Sequence, residues 1–498
     1  MLEKLLLGLL FLAPQLHISQ DLNSELSDVY QNFSLMGMSI WVSANGEETV
    51  YHFGKRDFER DLDINDNTQF RIASISKAFT AIGLIKLYHE GLFDLDDDIS
   101  TVLGYTVRNP QHPSTPITYR MLLSHQSGLQ DGTGYGSFVT ATFDDNNLPN
   151  ISELITPSGT YYTSNMWRTE TPGTYFAYSN INFGLIGALI EKHSDERFDV
   201  FMKSEILEPL EISGSYNIQD LPNINDLAVL YRNQGGWTPQ VDNYQGVLPT
   251  PPDLSSYVPG TNGIYFAPQG GLRISAEETG KFLDFLNSNG ANSELNISAE
   301  ILAEMKAIAW DYNGSNGDNY FGLFNRWGLG LHHANISAGD QICNLGTYDT
   351  FLGHAGEAYG LISDAFYSET ENIGFSLLIN VTFNGYTSGT QSSLYTVEEA
   401  VYSALCSYFE NQLSREDVTV LSVQIAPNPS LDSFEIALAQ SAENIVLQLQ
   451  DIKGSVLISE EYQNTNKIQV DVTQLNSGIY FLYLSEDNKS SHTKIIIE

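Results

Sequence analysis

Hydrophobic and polar residues alternate in two parts of the chain that lie far apart. The run GMSIWVSANGEETVYHFG, residues 37–54, alternates on both sides of Asn45-Gly46, which is a strong signal for a tight hairpin. The runs YGLISDAFYS (359–368) and IGFSLLINV (373–381) predict two further strands joined by a polar turn. Strands near both ends of a helix-rich middle predict one sheet built from both ends of a domain, with a helical lobe inserted between them.

Helical patterns stand out at three places in this region. Residues Ala78–Leu87 are apolar on nearly every side, which predicts a buried helix. Ser275 and Glu278 form a capping box before TGKFLDFLN and mark a helix start. The run SSLYTVEEAVYSALCSYFEN (392–411) predicts an amphipathic helix.

The pattern changes at about residues 411–420. Pro427 and Pro429 lie beyond the end of the helical pattern, where proline is typical of turns. Short alternating runs such as SFEIALA, IVLQLQ, KIQVDV and GIYFLYL follow, separated by turn residues. We therefore predict a small all-β sandwich domain over residues 421–498. It contains no cluster of histidine, cysteine or convergent carboxylates, so we assign it no chemistry.

Charge and length restrict the class of protein. The 498 residues carry 23 Lys and Arg against 61 Asp and Glu, a formal net charge of -38. Such a surface repels phosphate backbones, which argues against nucleic-acid binding, and it fits a very soluble secreted protein. The acidic stretch DLDINDN (61–67) starts like a calcium loop but has Asp66 where that loop needs glycine, so we predict no metal site there.

The first residues predict export. Lys4 precedes an apolar run, Leu5–Ala13, which is too short to span a bilayer and is typical of a signal peptide covering residues 1–19. No later segment is long and apolar enough to cross a membrane. Cys343 and Cys406 are the two cysteines of the chain, and in an oxidising compartment they could either pair or remain two separate buried thiols.

Ser74 and Lys77 lie one turn apart at the start of the apolar helix. They could be a helix cap and a solvated lysine. However, a lysine in the first turn of a buried helix is desolvated and lies at the positive end of the helix dipole. Both effects favour the neutral amine, which can take a proton from a serine hydroxyl three residues away.

Two further motifs follow in order. Tyr178 and Asn180 lie at a loop-to-helix transition, and His354-Ala355-Gly356 precedes a predicted strand. Each alone is typical of ordinary structure: an aromatic anchor, an Asn cap or a buried histidine. Together with ITYRMLLSHQSGL (117–129) and APQGGLRISAEETGKFL (267–283), the ordered set resembles the serine beta-lactamase and penicillin-binding superfamily, closest to its class C beta-lactamase, D-alanyl-D-alanine carboxypeptidase and esterase branch.

That resemblance implies a fold and a set of roles. It implies an α/β lobe with an antiparallel sheet plus an all-α lobe over residues 20–413, with the site between the lobes and no cofactor. Ser74 would be the acylated nucleophile, activated by Lys77. Tyr178 would share a proton with Lys77 and, beside this cation, act as a base for the deacylating water. Asn180 and Gly356 would contact substrate, and the backbone N–H groups of Ser74 and Glu357 would form the oxyanion hole.

His354 departs from the superfamily pattern, which usually has lysine at this position. The lysine is a permanent cation that attracts a substrate carboxylate, whereas histidine has a reference pKa near 6.5. If His354 binds an anionic substrate, binding should strengthen as the pH falls through its titration.

The final segment also resembles a known module. APNPS, DIKGSVL and LNSGIYFLYL are similar to the sorting domain of proteins exported by type IX secretion. This implies that the secretion machinery is a partner and that the protein is secreted or displayed at the cell surface.

We therefore expect a secreted serine hydrolase that works through a covalent acyl-enzyme. A D-alanyl-D-alanine carboxypeptidase-like peptidase is the leading expectation, with an esterase or beta-lactamase as alternatives and a small peptide, ester or beta-lactam as substrate. A catalytically inactive surface-binding protein is an alternative of another class. A metallohydrolase is disfavoured because His332-His333 lacks a following ligand pattern.

Overall fold

The computed structural model describes residues 21–143, 148–291, 293–343, 350–390, 394–413, 419–420, 423–451, 455–486 and 489–497. The signal peptide expected over residues 1–19 lies outside the described residues. The chain divides into two compact units at Phe409/Glu410.

A large antiparallel sheet organises the first unit. The first unit also contains two small two-stranded sheets. In chain order, the strands of the three sheets are β1 (Leu35–Ala44), β2 (Glu47–Asp57), β3 (Leu62–Asp63), β4 (Phe70–Arg71), β5 (Leu230–Asn233), β6 (Trp237–Val241), β7 (Arg273–Ile274), β8 (Trp310–Asp311), β9 (Arg326–Trp327), β10 (His332–Ala334), β11 (Phe351–Ala358), β12 (Leu361–Ser368) and β13 (Ile373–Thr382). The small sheets pair β4 with β7 and β5 with β6. The large sheet has nine strands in the order β3-β2-β1-β13-β12-β11-β10-β9-β8.

The register of this sheet confirms the strand predictions. Strands β1 and β2 form the hairpin at Asn45-Gly46, with Ala44 opposite Glu47. Strands β12 and β13 pair antiparallel, and β13 also pairs with β1, so that Ile40 lies opposite Leu377. The two ends of the domain therefore share one sheet, and every residue of β1 and β13 is buried in it.

Helices occupy much of the chain between and around these strands. They are α1 (Leu22–Asn32), α2 (Ser76–His89), α3 (Ser100–Leu103), α4 (Tyr119–Leu123), α5 (Thr133–Thr142), α6 (Ser152–Ile155), α7 (Asn180–Ser194), α8 (Phe198–Phe201), α9 (Ala276–Asn287), α10 (Ala299–Lys306) and α11 (Thr396–Leu413). The predicted capping box is present at the start of α9. Among the described residues, no helix is both long and apolar enough to span a bilayer.

Two close approaches hold the helices in place. A Cβ added to Gly280 of α9 would lie 2.4 Å from the ring of Trp41, which shows that α9 packs directly on β1. A Cβ added to Gly83 of α2 would lie 2.7 Å from the sulfur of Met202. Helix α2 is buried along most of its length, as its continuous apolar pattern predicts. The expected combination of an antiparallel sheet and a helical lobe is confirmed.

The second unit is all-β, as predicted. Its strands are β14 (Thr419–Val420), β15 (Val423–Ala426), β16 (Ser433–Gln450), β17 (Val456–Asp471), β18 (Gly478–Glu486) and β19 (Lys489–Ile497). The long strand β16 pairs with β17 along one edge and with β15 and then β18 along the other, which joins the six strands into one hydrogen-bonded sheet. Alternate residues such as Phe434, Ile436, Ile445 and Leu447 are fully buried and form the core.

Candidate active site

Ser74 lies in a single 3-10 turn, Ala73–Ile75, immediately before α2. Ala73 has a left-handed φ of 50°, a conformation that costs energy for a residue other than glycine and is concentrated at functional sites. The preceding residue, Ile72, donates its N–H to Leu272 O at 3.0 Å and accepts the Ser363 hydroxyl at 3.0 Å. The turn that carries Ser74 is thus fixed from two sides.

Lys77 is completely buried and reaches back to Ser74. Its Nζ lies 2.9 Å from Ser74 Oγ, 2.9 Å from Asn180 Oδ1 and 2.8 Å from the carbonyl oxygen of Gln269. Burial lowers the pKa of Lys77 to about 7, although the nearby Asp131 raises it. A neutral amine has two N–H groups, which match the Asn180 and Gln269 oxygens and leave the lone pair of Nζ facing the Ser74 hydroxyl. The arrangement can therefore deprotonate Ser74.

Tyr178 contacts both Ser74 and Lys77. Its hydroxyl shares a hydrogen bond with the Ser74 side chain, and its ring centroid lies 4.9 Å from Lys77 Nζ. Burial raises the pKa of Tyr178 above its usual value of 10, which outweighs the lowering by Ser74. Burial thus favours the protonated phenol, and the role of Tyr178 as a base for the deacylating water stays a prediction.

Asn180 is the first residue of α7, and an acidic residue that the motif analysis missed holds it in place. Asp131 accepts the N–H groups of Asn180 and Ile181 at 3.1 Å each and the Asn180 Nδ2 amide at 2.7 Å. A carboxylate at a helix N-terminus is favoured by the unpaired N–H groups and by the helix dipole. No motif includes Asp131, and a single Asp before a glycine reads as an ordinary turn.

His125, within the SHQSGL motif, contacts the segment before α7 that contains Tyr178 and Ser179. Its Nδ1 accepts the N–H of Ser179 at 3.1 Å, and its ring centroid lies 4.5 Å from that of Tyr178. Burial lowers the pKa of His125 well below 6.5, so the ring is neutral and Nδ1 is free to accept. His125 thereby fixes the direction of the Tyr178 side chain.

Strand β11 brings the third motif against Ser74. A Cβ added to Gly356 would lie 3.0 Å from Ser74 N, 2.9 Å from Ile72 O and 2.6 Å from Ser363 Oγ. Glycine is therefore required where β11 passes the Ser74 turn. Glu357 follows, with an exposed side chain whose Oε2 accepts the Tyr395 hydroxyl at 2.9 Å.

His354, the first residue of the His-Ala-Gly motif, is buried. Its side chain faces the interior at 2% exposure, with Nδ1 2.5 Å from the carbonyl oxygen of Ala355. Its Nε2 is buried and has no hydrogen-bond partner among the described residues. Burial and the proximity of Lys77 lower the pKa of His354 well below 6.5, so it is neutral at physiological pH. Burial therefore disfavours the charged form of His354 that a carboxylate-binding role requires, and the pH dependence expected for that role stays a prediction.

A cleft of about 460 Å³ opens beside Ser74 and Tyr178. Its remaining described lining consists of Tyr320, Phe321, Leu323, Phe324, Ala355, Gly356, Glu357, Ile362, Ser388, Leu394, Tyr395 and Glu398. None of these lining residues is a lysine or an arginine, and two of them, Glu357 and Glu398, are acidic. The described part of this cleft therefore offers no cation to a substrate carboxylate.

The two cysteines are joined. Cys343 and Cys406 form a disulfide with a Cα–Cα distance of 5.7 Å and a sequence separation of 63. It connects α11 to the segment after β10, and both side chains are buried. The pairing is structural, because the disulfide lies outside the set of residues around Ser74.

Comparisons with known proteins identify families for both parts of the chain. Residues 28–389 match the model of the Beta-lactamase family, and residues 424–498 match the Secretion system C-terminal sorting domain. The chain is 27% identical over 223 residues to Protein flp of Staphylococcus aureus, which covers 45% of this chain and 42% of that protein. It is 28% identical over 233 residues to Penicillin-binding protein 4* of Bacillus subtilis, which covers 45% of this chain and 47% of that protein. The matched part thus spans less than half the length of these relatives.

Solved structures share the fold. The octameric penicillin-binding protein homologue from Pyrococcus abyssi aligns with a TM-score of 0.58 at 21% identity, covering 96% of each chain. The D-amino acid amidase from Ochrobactrum anthropi aligns with a TM-score of 0.54 at 20% identity, covering 79% of this chain and 100% of that one. With the family model matched over residues 28–389, the chain belongs to the Beta-lactamase family, a superfamily of serine hydrolases, and it carries a C-terminal secretion sorting domain.

Proposed function

We propose that this protein is a serine hydrolase that forms an acyl-enzyme on Ser74, and that it cleaves amides or esters whose leaving group carries no carboxylate. The observation that carries the proposal is the 2.9 Å contact between Lys77 Nζ and Ser74 Oγ, with burial lowering the pKa of Lys77 to about 7. Near neutrality a large share of Lys77 is neutral and serves as the base.

Acylation follows from the positions of three side chains. As Ser74 Oγ attacks the substrate carbonyl carbon, its proton passes to Lys77 Nζ. The Tyr178 hydroxyl then donates a proton to the departing nitrogen or oxygen as the carbon–leaving-group bond breaks, and Lys77 returns a proton to Tyr178. Water attacks the Ser74 ester in the second half-reaction, and Ser74 regains its proton as the acid leaves.

The developing oxyanion needs donors on the side of Ser74 away from Lys77. We assign this role to the backbone N–H groups of Ser74 and Glu357, since Gly356 allows β11 to approach the Ser74 turn to van der Waals distance. Each such donor contributes about 10²- to 10³-fold to kcat. Asn180, whose Oδ1 is held by Lys77, would also orient the substrate amide.

The leaving group lies on the Tyr178 side of the site, because Tyr178 supplies its proton. That side is the cleft whose described lining contains Glu357 and Glu398 but no lysine or arginine. A carboxylate there would lie near the exposed Glu357 side chain, with no described lysine or arginine of the lining to pair with it. This favours a D-amino-acid amide, a peptide amide or a neutral ester over the D-alanyl-D-alanine carboxypeptidase substrate that was the leading expectation, and a beta-lactam, which carries a carboxylate, is disfavoured for the same reason.

The decisive experiment compares two peptides that differ by one group. A peptide ending in D-Ala-D-Ala with a free carboxylate and the same peptide with a C-terminal carboxamide are incubated with the enzyme, and release of the last residue is measured. We expect the carboxamide to have at least tenfold higher kcat/KM. A preference for the free carboxylate would establish carboxypeptidase activity and overturn our assignment of the leaving-group side.

The alternative of an inactive binding protein needs a separate test. A fluorophosphonate probe should label the wild-type protein and fail to label Ser74→Ala, because phosphonylation requires an activated serine. Absence of labelling in a folded wild-type protein would favour the binding protein and refute the hydrolase.

We further propose that the C-terminal unit directs export, which would give a secreted or surface-attached protein. The support is the sorting-domain match over residues 424–498. In a host with the matching secretion system, a chain truncated after Leu413 should accumulate inside the cell while the full chain reaches the surface or the medium. Equal export of both chains would refute this role.

A further inference from the structure

A second cleft of about 510 Å³ lies outside the set of residues that bind Ser74. We call it the arginine pocket and define it by Arg71, Tyr244, Pro249–Asp253, Phe266 and Arg273. Two guanidinium groups in one cleft are conspicuous in a chain whose formal net charge is -38. Their partners decide whether they are structural or available.

Arg273 is structural. It is 6% exposed, and its Nη2 and Nε donate to the two carboxylate oxygens of Asp242 at 2.8 and 3.2 Å. Its Nη1 donates to the carbonyl oxygens of Tyr216 and Gly271 at 3.1 and 3.2 Å. Every nitrogen of this guanidinium therefore has a partner, and Arg273 uses both oxygens of Asp242.

Arg71 has fewer hydrogen-bond partners than Arg273 among the described residues. Its one hydrogen bond to a described residue runs from Nε to Asp242 Oδ2 at a long 3.4 Å, to an oxygen that Arg273 already contacts. The Nη1 and Nη2 atoms have no hydrogen-bond partner among the described residues, although the side chain is only 16% exposed. Burial and the neighbouring Arg273 lower the pKa of Arg71, although Asp242 raises it.

Asp253 is a further charged residue of the arginine pocket, and its carboxylate accepts a hydrogen bond from its own loop. Asp253 lies on the rim and is exposed, and its Oδ1 accepts the Ser255 N–H at 3.0 Å within its own loop. Two guanidinium groups thus share one buried carboxylate, Asp242. An incoming carboxylate could bind the Nη edge of Arg71 in the planar, two-point manner that guanidinium groups favour.

Arg71 and the tyrosine ring that it contacts lie close in sequence to the candidate catalytic residues. Arg71 precedes Ser74 by three residues, and Tyr359, whose ring centroid lies 5.7 Å from Arg71 Cζ, follows Glu357 by two residues. Since a strand rises about 3.3 Å per residue, an acyl chain running along β11 from the Ser74–Glu357 oxyanion donors reaches Arg71 after roughly 7–10 Å.

We propose that Arg71 forms a subsite for a carboxylate on the acyl part of the substrate, about two residues before the scissile bond. This rests on the proposed function and narrows it: the preferred substrates are amides or esters with an acidic acyl group and a leaving group without a carboxylate. A peptide with a Glu or other dicarboxylic residue in front of the residue that acylates Ser74 has this chemistry.

The test uses two isosteric substrates, acetyl-Glu-D-Ala-p-nitroanilide and acetyl-Gln-D-Ala-p-nitroanilide. With the wild-type full chain, kcat/KM for the Glu substrate should exceed that for the Gln substrate about tenfold to a hundredfold, the range of a hydrogen bond to a charged group. Arg71→Gln should reduce this ratio to about 1. Arg71→Lys keeps the charge but loses the fork and should give an intermediate ratio, and circular dichroism verifies the fold of each variant.

Arg232→Gln is the matched control. Arg232 is an exposed arginine that lines a neighbouring cleft with Glu357 and Gly360. The Arg232→Gln substitution therefore removes the same charge at the same end of β11. It should leave the wild-type ratio unchanged. A ratio that follows Arg232 instead of Arg71, or equal turnover of both substrates by the wild type, overturns the subsite.

A binding measurement separates this proposal from the catalytic one. Calorimetric titration of both peptides into full-length Ser74→Ala protein should show at least tenfold tighter binding of the Glu peptide. The double variant Ser74→Ala, Arg71→Gln should bind both peptides with equal affinity. Equal affinities refute the subsite even if both peptides are hydrolysed. Absence of turnover together with selective binding refutes the hydrolase assignment for these substrates and retains the subsite.

Discussion

Asp131 accepts a hydrogen bond of 2.7 Å from the Asn180 side-chain amide, and the oxygen of the same amide accepts Lys77 Nζ at 2.9 Å. A carboxylate outside the recognised motifs is thereby connected to the base of the candidate site through one side chain. Because Asp131 also caps α7, the stability of that helix and the orientation of Asn180 depend on the same group.

Asp131→Asn should therefore change both the rate and its pH dependence. The substituted amide cannot accept from all the donors around it, so we expect kcat/KM to fall at least tenfold and stability to fall by about 1 kcal/mol. Asp131 raises the pKa of Lys77, so its neutralisation should shift the acid limb of the kcat/KM profile to lower pH. Ser298→Ala, which removes the cap of α10, is the control and should cost similar stability without moving the profile. An unmoved limb in Asp131→Asn would show that the charge does not act on Lys77.

Lys77 should control the pH dependence of activity. If the neutral amine is the base, kcat/KM rises as the pH increases through about 7, the pKa of the buried Lys77, and Lys77→Met is inactive. A profile whose acid limb lies below pH 5 would contradict this role.

The same group should also affect stability, with a definite sign. Between pH 7 and 10.5 the unfolded chain binds a proton at Lys77 that the folded chain does not, so this residue makes stability rise with pH. The unfolding free energy of the wild type, minus that of Lys77→Met, should increase by about 1.4 kcal/mol per pH unit between pH 7.5 and 9.5. Urea unfolding at these two pH values measures it, and a constant difference would show that Lys77 is protonated in the fold.

Gly356→Ala should impair catalysis more than folding. The new methyl group would lie 2.6 Å from Ser363 Oγ and 3.0 Å from Ser74 N, so β11 or the Ser74 turn must move. We expect kcat to fall at least 10²-fold, the effect of losing an oxyanion donor. Gly136→Ala is the matched control, because nothing lies within 4 Å of its added Cβ and its helical φ is ordinary. Equal activity of the two variants would refute the oxyanion assignment.

The Cys343–Cys406 disulfide should contribute to the stability of the first unit. It closes a loop of 63 residues, for which loop-closure entropy gives about 4 kcal/mol. Urea unfolding of the double variant Cys343→Ala, Cys406→Ala should show a loss of this order, and reduction of the wild type should show a similar one. An unchanged midpoint in both experiments would mean that the bond adds no stability.

Much of the fold could be predicted because local patterns determine it. The Asn45-Gly46 turn fixes the β1–β2 register, and Ser275 with Glu278 fixes the start of α9, because each acts over a few residues. The contact between Ser74 and Lys77 was predictable for the same reason, since a separation of three residues on a helical turn places two side chains together.

The remaining parts of the site depend on segments that are distant in the sequence. Nothing near Asp131 indicates that Asn180 will lie beside it, and nothing near Arg71 indicates that Asp242 will be shared with Arg273. His354 occupies its predicted position in the motif, yet the packing of Trp327 and Tyr178 around its ring removes water and with it the charge.

Local patterns in the sequence were enough to predict the strands at both ends of the domain, the all-β C-terminal unit and the ordered residues Ser74, Lys77, Tyr178 and Asn180. The burial of these residues and the direction of each side chain could be learned only from the folded chain. A pKa depends on burial and on neighbours from distant segments, so the lowered pKa values of Lys77 and His354 come from packing that no local pattern encodes.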